Sequence, residues 1–295
     1  MSPQIKQRAE PRPPFPTTRL DKPGLEADLE PAPRYQAPAY KPAGKLEGKR
    51  ALITGGDSGI GRAVAVIYAR EGASVAINYL PSEQPDAEET QRVIEATGHT
   101  CALLPGDLSD PAFCRELVER TAEELGGLDI LVSNAAYQNR KQLEELTFEE
   151  LEHTFRTNIY AYFLLAQAAI PKMGRGSAII ATSSVNAFTP SESLPDYSAT
   201  KGAINQLTKV LAQQLVSKGI RVNAVAPGPV WTPLNPADEG ISEEQLAQFG
   251  SQTPLERPAQ PEELAPAYVF LASDADSSYI SGVVLPVIGG EPIGG

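Results

Sequence analysis

The chain has 295 residues with 37 acidic and 25 basic side chains, which gives a formal net charge of −12 at pH 7. Its 41% hydrophobic and 21% charged residues are typical of a globular protein and exclude wholesale disorder. The excess of carboxylates argues against a nucleic-acid partner, because phosphate binding needs surplus Lys and Arg.

The composition also argues against disulfide bonds, a metal site and a membrane-spanning segment. Two cysteines, Cys101 and Cys114, exclude a disulfide scaffold, and two histidines leave little to hold a metal ion. The chain has no run of about 18 apolar residues to span a membrane, and no charged and then apolar leader for secretion. These features predict a protein of the reducing cytoplasm that needs neither a metal nor a membrane.

Residues 1–45 differ from the rest of the chain in composition and in hydrophobic pattern. They hold ten of the 27 prolines, and their few apolar residues follow no helical or alternating period. Because proline fixes φ and removes a backbone donor, an extended N-terminal arm is predicted. Its eight basic and five acidic residues suit an arm that lies across its own acidic subunit or a neighbouring one. A solvated tail is the alternative.

From residue 46 to 295, short β-branched or aliphatic runs alternate with longer helical patterns. This alternation predicts an α/β fold, a single Rossmann-type, doubly wound domain whose seven-stranded parallel sheet has helices on both faces. The predicted strands are 50–54, 74–79, 100–104, 129–133, 178–182, 221–226 and 282–287. The helical patterns lie near 60–71, 86–97, 110–125, 147–172, 196–218 and 261–272.

A glycine-rich segment follows the first predicted strand and opens the first predicted helix. Gly55, Gly59 and Gly61 stand in the spacing Gly-x-x-x-Gly-x-Gly. Such glycines allow a tight turn and let a pyrophosphate approach the free amides at the helix start. An ordinary strand-to-helix turn is the alternative, because it also favours glycine. The predicted dinucleotide-binding residues of the segment are Gly55, Asp57, Ser58, Gly59, Ile60 and Gly61.

The end of the second predicted strand bears on the choice of dinucleotide. A site for NAD usually has a carboxylate there to accept from the ribose 2′-hydroxyl, whereas a site for NADP lacks that charge. This strand ends in Asn78 and Tyr79, so the sequence favours NADP(H), with NAD(H) as the alternative. Arg62 or the Asn78 amide is placed to meet a 2′-phosphate, although Arg62 is equally a solvated helix residue.

Three chemically active residues have a suggestive spacing. Tyr197 and Lys201 are four residues apart in a helical pattern and therefore share one face. An ammonium close to a phenol lowers the phenol pKa from about 10, which prepares it for general acid and base chemistry. Ser184 lies just beyond a predicted strand, at the end that faces the ligand crevice. A second Tyr-x-x-x-Lys, at Tyr137 and Lys141, has no such serine thirteen residues upstream.

Together, the glycine-rich turn, the Ser184–Tyr197–Lys201 spacing and the strand pattern resemble the short-chain dehydrogenase/reductase family over residues 46–290. The resemblance implies a fourth catalytic residue, Asn158, which bends a helix and holds a water of the proton relay. It also implies that Ala136 replaces a glycine, so the cofactor is approached less closely there. Further cofactor-binding residues implied by the resemblance are Asp107, Leu108, Asn134, Ala135, Pro227, Gly228, Val230 and Thr232, together with Asn78, Tyr79, Tyr197 and Lys201.

The resemblance implies an NAD(P)-dependent alcohol dehydrogenase or carbonyl reductase. In this expectation Ser184 binds the substrate oxygen, Tyr197 transfers its proton, and Lys201 lowers the pKa of Tyr197 and holds the ribose. The arm resembles an N-terminally extended branch similar to glucose and ribitol dehydrogenases and general-stress oxidoreductases. The resemblance also implies a homotetramer, since family members of this length are commonly tetramers. We therefore expect removal of residues 1–40 to weaken assembly and to leave cofactor affinity nearly unchanged. The alternatives are a non-catalytic dinucleotide sensor and an epimerase or dehydratase with a retained cofactor.

Substrate choice is expected to depend on residues 229–260, between the sixth strand and the next helix. Trp231, Leu234, Leu246 and Phe249 form a lid there or simply pack. Polar residues near the predicted site suit a polyhydroxylated substrate or a small aldehyde; they are Asn186, Glu192 and Gln138.

Overall fold

The computed structural model describes residues 10–293 and centres on one seven-stranded sheet. All strands are parallel, in the order β3-β2-β1-β4-β5-β6-β7, which confirms the predicted sheet. The strands are β1 Arg50–Thr54, β2 Ser74–Tyr79, β3 Cys101–Pro105, β4 Ile130–Ser133, β5 Ala178–Thr182, β6 Arg221–Pro227 and β7 Val284–Val287. The last strand begins two residues later than predicted, because Gly282 takes a φ of +87° that is not extended backbone.

Helices cover both faces of the sheet. They are α1 Gly59–Arg70, α2 Gln84–Glu95, α3 Pro111–Leu125, α4 Phe148–Phe155, α5 Ala161–Ala169, α6 Pro195–Leu215, α7 Glu243–Ala247, α8 Pro261–Ala272 and α9 Asp274–Ser277. The single helix predicted over 147–172 is interrupted by a π-helical turn, Arg156–Tyr160, between α4 and α5. The sequence missed α7 and α9, because helices of five and four residues are too short to show a period.

The core has two main parts, one on each face of the sheet. Along β1, Ala51 and Ile53 join the cluster under α1 and α8, whereas Leu52 joins the cluster under α5 and α6. Successive side chains of a strand point to opposite faces, so a nearly continuous apolar run is what a sheet covered on both sides needs. The strand order reverses between β1 and β4, and a ligand crevice is expected there, outside the carboxyl ends of the strands.

The described part of the arm, residues 10–45, packs on its own chain. Phe15 stacks on Trp231 with 4.2 Å between ring centroids, and Leu29 is buried in the same cluster. The Trp231 Nε1–H donates to the carbonyl of Pro31 at 2.7 Å. Of the two alternatives for the arm, contact with its own subunit is therefore the one seen, and these residues are not a solvated tail. No helix among residues 10–293 is long and apolar enough to cross a membrane.

The contact between Phe15 and Trp231 has a spectroscopic consequence, since Trp231 is the chain's single tryptophan and is buried. We predict that Phe15→Ala lowers the free energy of unfolding by about 3 kcal/mol, the usual cost of removing a buried ring. Water would then reach the indole, and its emission would shift to the red. The measurements are urea unfolding and the fluorescence spectrum. Leu143→Ala, at an exposed position, is the control; unchanged emission in Phe15→Ala would contradict the packing described.

Candidate active site

A cavity of about 680 Å³ opens at the carboxyl ends of the strands. The glycine-rich turn lies at one end of it, and the start of α6 with the end of β5 lies at the other. Two predicted site residues, Gly61 and Asn158, do not line the cavity. The predicted residues that do are Gly55, Asp57, Ser58, Gly59, Ile60, Asn78, Tyr79, Asp107, Leu108, Asn134, Ala135, Ser184, Tyr197, Lys201, Pro227, Gly228, Val230 and Thr232.

The glycine-rich turn is built for close backbone packing. A Cβ on Gly61 would lie 1.7 Å from the carbonyl oxygen of Gly55, so Gly61 is needed by the turn itself rather than by a ligand. Gly59, at a φ of +50°, begins α1. The amides of Ile60 and Gly61 have no acceptor within residues 10–293. Free amides at the start of a twelve-residue helix, beside a cavity of this size, fit the pyrophosphate of a dinucleotide.

Ser184, Tyr197 and Lys201 converge at the other end of the cavity. Ser184 follows β5, accepts from the amide of Asn186 at 3.1 Å and lies close enough to the Tyr197 phenol to lower its pKa. Lys201 lies one turn after Tyr197 on α6, with Nζ 5.2 Å from the centre of the phenol ring. Its ammonium donates to the carbonyl of Thr182 at 2.9 Å. The spacing read from the sequence therefore brings a hydroxyl, a phenol and an amine to one wall.

Burial controls the protonation of this group. It raises the pKa of Tyr197 to about 12, and the Ser184 hydrogen bond and the Arg140 charge offset only part of that rise. Burial also lowers the pKa of Lys201 to about 7. The pKa of Tyr197 therefore lies above its ordinary value, whereas Lys201 was expected to bring it below that value. The reason is that desolvation of the phenol outweighs the neighbouring charges, so the phenol is protonated at neutral pH.

Asn158 lies behind the wall of the cavity, in the π-helical turn. Its Oδ1 accepts from the Tyr137 amide at 2.7 Å, and its Nδ2 donates to the Tyr137 carbonyl at 2.9 Å and to Thr200 Oγ1 at 3.1 Å. The side chain thereby ties the segment after β4 to α6. The interruption of the helix at this residue agrees with the implied bend; its role in holding a relay water stays a prediction.

Near the end of β2, the two groups put forward for a 2′-phosphate are both engaged elsewhere. The Asn78 amide donates to the carbonyls of Leu104 and Gly106 at 3.2 and 3.1 Å. The Arg62 guanidinium is buried and pairs with Glu26 of the arm at 2.6 Å. The expectation that either group is free to meet a phosphate is wrong, because each already has protein acceptors.

Some residues of the 229–260 segment are packed in the core, and others line the cavity. Trp231 and Leu246 are buried against the arm, which agrees with the alternative that they simply pack. Leu234 and Phe249 line the cavity instead. Of the polar residues proposed for substrate contact, two line the cavity and one does not. Asn186 and Gln138 are lining residues, and Glu192 is not among them.

Several residues that line the cavity were not predicted from the sequence. Lys22 of the arm donates to the Tyr137 hydroxyl at 3.0 Å, whereas the Lys141 paired with that tyrosine by spacing binds Glu150 instead. Glu83 and Arg140 also line the cavity. A residue of the arm meets the body across more than a hundred positions, and no local pattern of the sequence marks such a contact.

A family model described as enoyl-(acyl carrier protein) reductase matches residues 55–291. General stress protein 39 of Bacillus subtilis is 54% identical over 275 residues, which are 93% of this chain and 95% of that protein. Glucose and ribitol dehydrogenase of Daucus carota is 48% identical over 286 residues, 95% of this chain and 97% of that one. A solved structure of a short-chain dehydrogenase from Burkholderia cenocepacia, in complex with NADP, matches with a TM-score of 0.77 and 36% sequence identity. The match covers 83% of this chain and 98% of that one.

The chain belongs to the short-chain dehydrogenase/reductase family. Among its relatives are proteins named for general stress and for glucose and ribitol dehydrogenation, as the resemblance of the arm-bearing sequence had indicated.

The buried amine of Lys201 gives a pH-dependent stability that can be measured without cofactor. The unfolded chain binds this proton up to a pKa of about 10.4, whereas the folded chain releases it near pH 7. Raising the pH from 7 to 9 therefore favours the folded state, by up to about 1.4 kcal/mol per pH unit. We predict a steeper rise in the free energy of unfolding for the wild type than for Lys201→Met, measured by urea unfolding at each pH. Parallel curves for the two proteins would refute the low pKa.

Proposed function

We propose that the chain is an NAD(P)-dependent oxidoreductase that interconverts a carbonyl and an alcohol. The observation that carries this proposal is the meeting of Ser184, Tyr197 and Lys201 in the cavity that the glycine-rich turn opens into. A dinucleotide that runs from that turn along the strand ends would bring its nicotinamide to this wall. The Rossmann-type topology supports the same direction, since ligands of such sheets lie outside the strand ends.

Each of the three residues has one task in the proposed reaction. The Ser184 hydroxyl hydrogen-bonds the substrate oxygen and orients it. The Tyr197 phenol donates its proton to that oxygen in reduction and accepts it in oxidation. The Lys201 amine holds the ribose hydroxyls, and in its ammonium form it offsets part of the burial that raises the pKa of Tyr197. When bound, the cofactor supplies or accepts the hydride. Because burial raises the pKa of Tyr197 to about 12, its protonated form suits carbonyl reduction at neutral pH.

The proposed cofactor contacts follow the walls of the cavity. The glycine-rich turn would hold the pyrophosphate, and Asp107 with Leu108 would lie beside the adenine. Asn134 and Ala135 follow β4, where the Asn134 amide is already fixed by the carbonyls of Thr54 and Gly55. The remaining proposed contacts, on the nicotinamide side, are Pro227, Gly228, Val230 and Thr232, which line the cavity after β6.

The proposed substrate is an aldehyde, a ketone, or a sugar or polyol. The relative from Daucus carota is named for glucose and ribitol, which are polyhydroxylated. In this chain the amide side chains of Gln138 and Asn186 line the cavity and can hydrogen-bond several hydroxyls. Leu234 and Phe249 give the same region an apolar side, which suits the carbon skeleton.

The form of the cofactor is NADP(H) or NAD(H). The preference for NADP(H) that the sequence suggested has support in the relative from Burkholderia cenocepacia, whose complex contains NADP. The acidic side chains of Asp57 and Glu83, which line the cavity near the glycine-rich turn, argue for NAD(H).

We further propose a cytoplasmic homotetramer in which residues 1–45 are an arm and residues 46–295 the catalytic domain. Exposed apolar side chains on two neighbouring helices, Phe163 on α5 and Val210 on α6, support association of subunits. The packing of the arm on its own chain supports the division into an arm and a catalytic domain.

The test of the proposed reaction is the variant Tyr197→Phe. We predict that it loses about 10²- to 10⁴-fold in kcat, the usual contribution of a positioned acid, while nucleotide affinity changes little. The measurements are oxidation of NADH or NADPH with a panel of aldehydes, ketones and sugars, and nucleotide binding by calorimetry. Tyr160→Phe, at an exposed tyrosine outside the cavity, is the matched control.

Two other results would replace the proposal. Nucleotide binding without turnover in the wild type, unchanged in Tyr197→Phe, would indicate a sensor. Conversion of a sugar with no net change in nicotinamide absorbance would indicate an epimerase. Neither class explains as simply why a phenol, a hydroxyl and an amine meet at one wall.

A further inference from the structure

The end of the cavity at the glycine-rich turn, where the adenosine ribose of the proposed cofactor would lie, contains a carboxylate with one oxygen that has no hydrogen-bond partner. Asp57, in the glycine-rich turn, lines the cavity and is only 1% exposed. Its Oδ2 is buried and has no hydrogen-bond partner within residues 10–293. Burial raises the pKa of this carboxyl to about 6. A buried oxygen without a donor is costly, and a hydroxyl of a bound ligand would remove that cost.

A second carboxylate lies close to the first. Glu83, between β2 and α2, lines the same end of the cavity, and its Oε2 accepts from the Leu80 amide at 2.8 Å. Burial, and then the charge of Asp57, raises the pKa of Glu83 to about 8. The two acids therefore lie near enough to repel each other, and any further negative charge at this end would add to that repulsion.

The nearest arginine is held away from the cavity. Arg62 is 3% exposed and does not line the cavity. Its guanidinium pairs with Glu26 Oε1 at 2.6 Å and with Asp86 Oδ1 at 3.2 Å. Its Nε donates to the Asp57 carbonyl at 2.6 Å and to Thr90 Oγ1 at 3.0 Å. Every face of the guanidinium that could bind a phosphate already has a protein acceptor.

The arm is responsible for part of this arrangement. Glu26 belongs to the arm, and its second oxygen accepts from the Gly59 amide at 2.6 Å. The Tyr35 ring, also of the arm, lies 4.9 Å from the guanidinium carbon of Arg62. The expectation that removal of residues 1–40 leaves cofactor affinity nearly unchanged stays a prediction; the contacts of Glu26 and Tyr35 with the glycine-rich turn and Arg62 argue against it.

The Lys and Arg residues that do line the cavity lie at the end that contains Ser184 and Tyr197. Lys22 is bound to Tyr137, Arg140 is paired with Asp238, and Lys201 lies beside Tyr197. Among the cavity-lining residues that the structure describes, none of the basic ones lies beside Asp57 and Glu83.

We propose that Asp57 selects the cofactor by accepting a hydrogen bond from the 2′-hydroxyl of the adenosine ribose, while Glu26 of the arm keeps Arg62 from a 2′-phosphate. The inference rests on the proposed function and assigns NAD(H) as the preferred form. A 2′-phosphate carries nearly two negative charges, and at neutral pH it would face the Asp57 carboxylate and the mostly protonated Glu83 carboxyl, with no cavity-lining cation beside them. The sequence suggested NADP(H) because the end of β2 lacks a carboxylate; in the fold, the carboxylate comes from the glycine-rich turn.

The test compares the dissociation constants of NAD⁺ and NADP⁺ by calorimetry on the full-length chain. In the wild type, NAD⁺ is expected to bind at least about tenfold more tightly than NADP⁺, since a charge-assisted hydrogen bond is replaced by repulsion. Asp57→Asn is expected to narrow the ratio by about tenfold, and Glu83→Gln by less. Glu26→Gln is expected to improve NADP⁺ binding by releasing Arg62. Glu123→Gln, an equal loss of charge at an exposed position of α3, should leave the ratio unchanged.

Melting temperatures establish that each variant is folded, and Glu83→Gln carries the test if Asp57→Asn does not fold. NADP⁺ binding to the wild type as tightly as NAD⁺ would overturn the inference and leave the proposed oxidoreductase intact. A ratio unchanged in both Asp57→Asn and Glu83→Gln would overturn it as well. Failure of the wild type to bind either nucleotide would instead refute the proposed function.

Discussion

The hydrogen bond from the Lys201 ammonium to the Thr182 carbonyl, at 2.9 Å, joins α6 to the carboxyl end of β5. It is the contact on which the candidate active site depends, since a fully buried amine without an acceptor would be very costly. The Thr182 hydroxyl extends the junction to Asn134 after β4, at 3.0 Å, and to Tyr268 on α8, at 2.7 Å. One residue at a strand end thereby aligns the lysine, the segment after β4 and a helix of the opposite face. Fully satisfied polar networks of this kind hold side chains in one geometry.

The arm extends the family fold with contacts at both ends of the cavity. Glu26 binds the start of α1 at the ribose end, and Lys22 binds Tyr137 near the substrate end. Phe15 covers Trp231, in the loop region whose neighbours Leu234 and Phe249 line the substrate cavity. The same extended segment thus influences the electrostatics of the proposed cofactor site and the packing beneath the proposed substrate site. Extended chain suits this task, because it can follow a surface without needing a core of its own.

Much of the fold was predictable because its signals are local. The apolar runs marked all seven strands, and the positions of Ser184, Tyr197 and Lys201 relative to those strands predicted that they meet. What could not be predicted depends on distant contacts and on burial. Arg62 and Glu26 are 36 positions apart, one in a helix and the other in the proline-rich arm, and no periodicity of the sequence pairs them. The direction of the Tyr197 pKa shift also needed the structure, because spacing reveals the neighbouring charge but not the loss of water around the phenol.

The most direct measurement of the central claim is isotope transfer from a reduced cofactor that is deuterated at both C4 positions of its dihydronicotinamide. The purified protein would be incubated with this cofactor and a carbonyl compound that it reduces, and the product analysed by mass spectrometry. The account predicts one deuterium on the carbinol carbon of each product molecule, with the phenol of Tyr197 supplying an unlabelled proton to the oxygen. A product free of deuterium, or a reduced cofactor that stays fully labelled while substrate is consumed, would contradict it.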